Sequence, residues 1–203
     1  AYIMGSQEFM GFPFHVNPGV LIPRQETEIL VEEAFKRIRR MESPLVLDIG
    51  TGSGAIAVSV AKMRSDASVT ATDLSDEALT TAEKNAVLNQ VEPRISFMKG
   101  DLFSDFESLG AATRFDCILS NPPYVKAGEL DGLQEEVRHE PRTALDGGED
   151  GLRVIEPLIR DAGPFLKPGG FLMIAIGVDQ SDRVLGMLEE AGFIKLGIVK
   201  GFS

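Results

Sequence analysis

Leu45-Val46-Leu47-Asp48-Ile49-Gly50-Thr51-Gly52-Ser53-Gly54 is the stretch on which the fold turns. A short apolar run free of Gly and Pro reads as a buried strand, and alternate glycines straight after it read as a tight turn opening a helix. With no side chains at Gly50, Gly52 and Gly54, a ligand can approach backbone N–H groups near the positive end of that helix; the bland alternative is a purely steric turn. Thr51 sits inside the same loop. Asp48 reads either as a contact for a ligand amino group or as an organiser of the loop.

Working outward, residues 54–62 continue as a helix, 69–73 as a second strand, 76–88 as a helix, 94–98 as a third strand and 115–120 as a fourth. Upstream, Ile29, Leu30, Ala34, Phe35 and Ile38 recur at helical spacing through residues 26–41. Glu26 and Glu28 stand at the start and Arg37, Arg39 and Arg40 at the end, the charge order that a helix dipole favours. Residues 5–23, broken by Gly and Pro, read as short extended pieces joined by turns. Residues 125–151 lose apolar periodicity and read as a long functional loop containing a short helix. A helix over 151–166, a strand over 170–176, a helix over 179–191 and a strand over 193–199 complete the pattern. Strands alternating with helices predict an α/β fold: a mostly parallel open sheet with helices on both faces, its ligands beyond the carboxyl ends of the strands.

The 203 residues suit one such domain, and a formal charge of −11 argues against direct nucleic-acid binding, which depends on neutralising phosphates; a local basic groove stays compatible with that balance. The single Cys117 excludes an intrachain disulfide and a cysteine metal cluster, and its apolar strand neighbours mark it as packing. His15 and His139 lack metal-ligand spacing, so no metal is expected, and His139 reads as a loop or solvent contact. No apolar run approaches the roughly 20 residues that cross a bilayer, and no leader opens the chain, so the expected setting is cytoplasmic, without a membrane partner. The start at Ala1-Tyr2-Ile3-Met4 is compatible with a missing upstream region.

Asp73, ending the second strand, lies at about the separation from the glycines at which an acidic residue meets ribose hydroxyls; the alternative is a surface cap. Asp101, just after the third strand, is placed to accept an adenine amino hydrogen, with Leu102 or Phe103 over the ring, or else to stabilise a turn. The fourth strand runs directly into Asn121-Pro122-Pro123-Tyr124.

Four segments in this order, EFMGFPFHVNPGVLIPRQETE, DIGTGSG, NPPY and EPRTALDGGEDGL, resemble the bacterial release-factor glutamine methyltransferases, the HemK or PrmC family. The resemblance covers the whole chain. It implies the class I S-adenosylmethionine-dependent methyltransferase fold and a role in translation termination: methylation of the glutamine amide nitrogen in the Gly-Gly-Gln loop of peptide-chain release factors, with S-adenosylhomocysteine as product. It further implies that the Asn121 side-chain carbonyl and the Pro122 backbone carbonyl accept the two substrate N–H groups, that Pro123 stiffens the pocket edge and that Tyr124 packs on the target amide. The cofactor set implied is Asp48, Gly50, Thr51, Gly52, Gly54, Asp73, Asp101, Leu102 and Asn121. By the same resemblance, Phe9, Phe12 and Phe14 surround the substrate loop, or serve as core. Arg24, Glu26, Thr27 and Glu28 order the opening or approach cofactor and substrate, and Arg142 contacts the loop backbone or a release-factor carboxylate.

Two departures stand out. Gln25 replaces an expected proline, and Ala175 replaces an expected glutamate. Residues 1–25 read as an extended or hairpin segment bordering the active site and 26–203 as the methyltransferase domain, with a final edge strand and the family's amino-terminal helical domain expected outside this chain. A monomer is expected. Similar Asn-Pro-Pro-Tyr motifs occur in DNA adenine amino-methyltransferases, which leaves that activity, and a catalytically weak cofactor-binding scaffold, as alternatives.

Overall fold

The computed structural model describes residues 2, 4–104, 106 and 113–200. An antiparallel hairpin opens the chain, β1 (Ser6–Phe9) and β2 (Phe12–His15), followed by α1 (Gln25–Ile38). The sheet is then laid down by β3 (Leu45–Ile49), β4 (Ser68–Asp73), β5 (Ile95–Lys99), β6 (Phe115–Ser120) and β7 (Leu166–Ile174). The helices are α2 (Ala55–Met63), α3 (Asp76–Leu88), α4 (Glu135–Arg138), α5 (Arg142–Leu145), α6 (Ile155–Ala162) and α7 (Ser181–Glu190). The five strands are all parallel in the order β5-β4-β3-β6-β7, so successive strands are added on one side of β3 up to β5 and on its other side from β6. At that switch point the loops leaving β3 and β6 diverge and open a crevice.

Alternation along each strand divides the core. Val46, Val69, Ala71, Cys117 and Leu119 face a cluster with α1, α2 and the hairpin, whereas Leu47, Ile49 and Ile118 face Phe103, Phe115, Leu158 and Ala162 on the other side. α6 and α7 form a satellite cluster around Leu152, Ile155, Ile159 and Val184. This is the expected α/β architecture with both faces covered.

Local chemistry explains the element ends. α1 carries Glu26 and Glu28 in its first turn and Lys36 and Arg37 in its last, complementing the dipole. Gln25 is its first helical residue, where an unpaired N–H is ordinary, so the expected proline is dispensable for starting the helix. Ser75 caps α3 by accepting from the Ala78 N–H. α6 is shorter than residues 151–166: it starts only at Ile155, and its far end is cut where Gly163–Phe165 tightens into a 3₁₀ turn at Pro164.

The strand expected over 193–199 is not formed. Residues 193–200 run as irregular backbone with Ile194, Ile198 and Val199 exposed, because a strand needs a neighbouring ladder and none pairs with this segment among the described residues.

Candidate active site

The glycine loop leaves β3 at the switch point with Gly50, Gly52 and Gly54 at φ of +69°, +56° and +82°. A Cβ on Gly50 or Gly52 would meet open space, so these positions face the crevice. Gly54 differs: its Cβ would lie 3.0 Å from Ala82 Cβ, so here the missing side chain lets α2 approach α3. The turn is held by the Thr51 N–H donating to the Thr72 carbonyl (2.8 Å) and the Gly54 N–H to the Thr51 carbonyl (2.8 Å).

Asp48 lies beneath this loop, fully buried. Its Oδ2 accepts from Thr51 Oγ1 (2.7 Å) and the Ala57 N–H (3.1 Å), whereas Oδ1 has no partner. Burial pushes its carboxyl up to about 7, with Asp73 adding to the rise and the two donors opposing it. The loop-organising reading of Asp48 is the one these contacts show; the other oxygen is an unsatisfied buried acceptor.

Asp73 ends β4 on the same rim. Its Oδ2 accepts from the Gly52 N–H (2.9 Å) and its Oδ1 from the Ser75 N–H (2.9 Å), so it braces the glycine loop while keeping lone pairs for a hydroxyl. Beside it Leu74 is 63% exposed, an apolar surface that the sequence reading passed over. On the next turn Asp101 is exposed and Leu102 adopts a positive φ of 51°.

Asn121 follows β6 across the crevice. Its Nδ2 donates to Thr27 Oγ1 (3.0 Å), which ties the side-chain amide to α1. Thr27 is buried on α1, where it orders the opening by holding Asn121, the first of its two readings. Pro122 is buried and Pro123 half-buried. Tyr124 packs on the α6–α7 cluster, and burial above all raises its phenol pKa, with Glu26 adding to the effect and Arg24 opposing it. Ala175, just past β7, donates its N–H to the Ser120 carbonyl (3.0 Å), so the departure from glutamate falls beside Asn121.

Phe9 and Phe14 stand edge to face, 5.8 Å between centroids, in the core. Fully buried rings present no surface to a substrate loop, so of the two readings of this pair core packing is the one that fits; Phe12 is partly buried against the same cluster. Glu28 Oε1 accepts from the Met10 N–H (2.6 Å), so it orders the hairpin rather than reaching a ligand. Glu26 and Arg142 are exposed, and the ion partner of Arg142 among the described residues is Asp146 at 4.0 Å. His139 is exposed as well.

Two supports went unread in the sequence. Asn85, fully buried on α3, donates to the carbonyls of Ser53 (2.8 Å) and His15 (3.0 Å) and accepts from the His15 N–H (2.6 Å), tying the glycine loop to the hairpin. Glu140, with a fully buried side chain, pairs with Arg24 and keeps Oε2 unpartnered; burial raises its carboxyl pKa against the pull of Arg24. Asn85 carries no motif signal, whereas Glu140 opens the EPRTALDGGEDGL segment, although no spacing reveals its pairing with Arg24. Among the described residues no cluster of His, Cys, Asp or Glu has metal-binding geometry, and no helix is long and apolar enough to cross a membrane.

Residues 24–149, from the α1 entry through the post-NPPY loop, match the methyltransferase small domain family. The chain is 47% identical to a release factor glutamine methyltransferase of Geobacter sulfurreducens over 95% of its length, and 46% identical to one of Neisseria gonorrhoeae, also over 95%. It spans 65% and 68% of those two proteins, and 56% of a relative of the same description from Fusobacterium nucleatum. Among solved structures it resembles a ribosomal protein L11 methylase from Lactobacillus delbrueckii subsp. bulgaricus, with TM-score 0.64, 26% identity and 88% and 75% of the two chains covered.

Proposed function

We propose, for a chain that belongs to the release factor glutamine methyltransferase family, that it transfers a methyl group from S-adenosylmethionine to the glutamine amide nitrogen of a release factor's Gly-Gly-Gln loop. The observation that supports this reading is the Thr27–Asn121 hydrogen bond, which holds the Asn121 side-chain amide at the carboxyl end of its strand, where an open parallel sheet gathers ligands.

The residues present fit the cofactor. A buried, unpartnered carboxylate oxygen on Asp48 suits its ammonium group, and the faces of Gly50 and Gly52 leave room that any side chain would fill. Thr51 and Gly54 maintain the loop, Asp73 serves the ribose, and Asp101, Leu102 and Leu74 border the adenine. S-adenosylmethionine supplies an electrophilic sulfonium methyl there and leaves as S-adenosylhomocysteine.

A carboxamide nitrogen is a weak nucleophile because its lone pair is delocalised into the carbonyl. Asn121 Oδ1 accepts one substrate N–H and the Pro122 carbonyl the other, so the nitrogen is held and its lone pair aimed at the methyl. The nitrogen gains positive character as the N–C bond forms, and two carbonyl dipoles already in place stabilise that charge without reorganising. A nearby water or carboxylate takes the proton. Pro123 stiffens this edge by its restricted φ, and Tyr124 walls the pocket. The amino-terminal hairpin borders the opening, and the proposed setting is cytoplasmic, the enzyme acting as a monomer.

The test is labelled methyl transfer to a purified release factor, to the same factor with its Gly-Gly-Gln glutamine substituted, and to unmethylated DNA. Label that depends on that glutamine supports the reading; label on DNA alone refutes it in favour of adenine methylation.

A further inference from the structure

Gln180 lies in the Val178–Gln180 turn between β7 and α7, far in sequence from every residue assigned above, yet it is 3% exposed. Its Nε2 donates to the Tyr124 carbonyl (3.0 Å) and to the Gly151 carbonyl (3.2 Å), while its Oε1 accepts from the Gly177 N–H (2.8 Å). The amide cannot be flipped without setting oxygen against two carbonyls. Tyr124 and Gly151 are the two ends of the loop that follows the Asn-Pro-Pro-Tyr segment. Gly151 has φ +78°, and a Cβ there would lie 2.3 Å from Gln180 Nε2 and 2.4 Å from the Tyr124 carbonyl oxygen, so only glycine permits the junction. Just inside it the loop base is laced by Val125 N–H to the Leu145 carbonyl (3.0 Å), Gly147 N–H to the Val125 carbonyl (2.8 Å) and Ala127 N–H to the Gly148 carbonyl (2.8 Å).

We propose that Gln180 is a positioning residue whose single amide clamps both ends of this loop and thereby sets Tyr124 and the adjoining Asn121 at the reacting amide. This rests on the methyl-transfer reading above. Among the described residues no hydrogen bond of the clamp reaches the glycine loop, so the cofactor contacts of that loop stand apart from it.

The test is Gln180→Met in the full chain, which keeps length and removes the donors. Amide hydrogen exchange at Val125 and Gly147 is expected to accelerate while the amides of β3 and β4 keep their protection. For the glutamine substrate, kcat is expected to fall by about 10²-fold, the scale of a small misplacement of reacting groups, with cofactor affinity retained. A merely structural role would instead lower melting temperature, cofactor affinity and kcat together. Gly151→Ala attacks the same junction from the other side and must reproduce the pattern if the methionine variant folds poorly. Unchanged exchange at Val125 and Gly147, or an unchanged kcat, overturns the proposal. If the unsubstituted protein labels no glutamine, the methyl-transfer reading fails, and the exchange measurement still decides the clamp.

Discussion

Replacing Asp48 by Asn tests the idea that the cofactor crevice is built around a carboxylate that is uncomfortable without its ligand. Asp48 is fully buried, and its carboxyl is pushed from an ordinary 3.8 to about 7, chiefly by burial. A folded-state value above the unfolded one means that the native protein holds the extra proton. The stability contribution is therefore most favourable below pH 3.8 and is lost as pH rises towards 7. At 1.36 kcal/mol per unit, the gap between 3.8 and about 7 corresponds to about 4 kcal/mol, of which about 3 kcal/mol falls between pH 5 and pH 8. Asn keeps the acceptor for Thr51 and Ala57 but cannot titrate. The difference in melting temperature between ligand-free Asp48→Asn and the unsubstituted protein should thus drift in favour of the variant from pH 5 to pH 8. At roughly 2–4 °C per kcal/mol for a chain of this size, the drift is on the order of 10 °C. Differential scanning fluorimetry across that range reads it directly. Cofactor affinity should move the opposite way, weaker in the variant at pH 8, if the unpartnered oxygen meets the cofactor ammonium as proposed. A melting difference that stays flat from pH 5 to pH 8 would refute the reasoning.

Asn121→Ala removes the acceptor at the crevice mouth; methyl transfer should fall by about 10²–10³-fold, the scale of losing a preorganised polar contact, while calorimetric cofactor binding changes little. Gly54→Ala forces a Cβ to within 3.0 Å of Ala82 at φ +82°, which should cost about 1–3 kcal/mol, visible as a lower urea midpoint. Glu140→Ala leaves Arg24 unpaired; because the Arg24 side chain is 37% exposed, the loss should stay below the ~3–5 kcal/mol of a fully buried pair, and the KM for release factor should rise more than that for the cofactor.

The chain itself determined the alternation of strands and helices, the glycine turn and the placement of Asp73 and Asn121 on one rim. Such features follow from apolar period, from Gly and Pro, and from the rule that strand carboxyl ends in a parallel sheet gather on one side. The helix at Asp76–Leu88 and the strand at Phe115–Ser120 are legible to the residue for that reason. The strand over 193–199 was misread because apolar content shows only that a segment can pair, whereas a ladder needs a neighbour in space.

Only the tertiary structure decided what each polar side chain does. Thr27 and Asn121 are 94 residues apart, Arg24 and Glu140 116, and Gln180 and Tyr124 56. A side-chain hydrogen bond between distant elements leaves no periodicity in either partner, so Thr27 and Glu28, one residue apart on α1, look alike in the sequence. The helix turns one inward to Asn121 and the other to the hairpin at Met10. Burial then does the rest: it makes Phe9 and Phe14 core instead of surface, and it turns Asp48 from an ordinary acid into an unsatisfied acceptor, because the cost of a charge depends on the dielectric around it, which only packing creates.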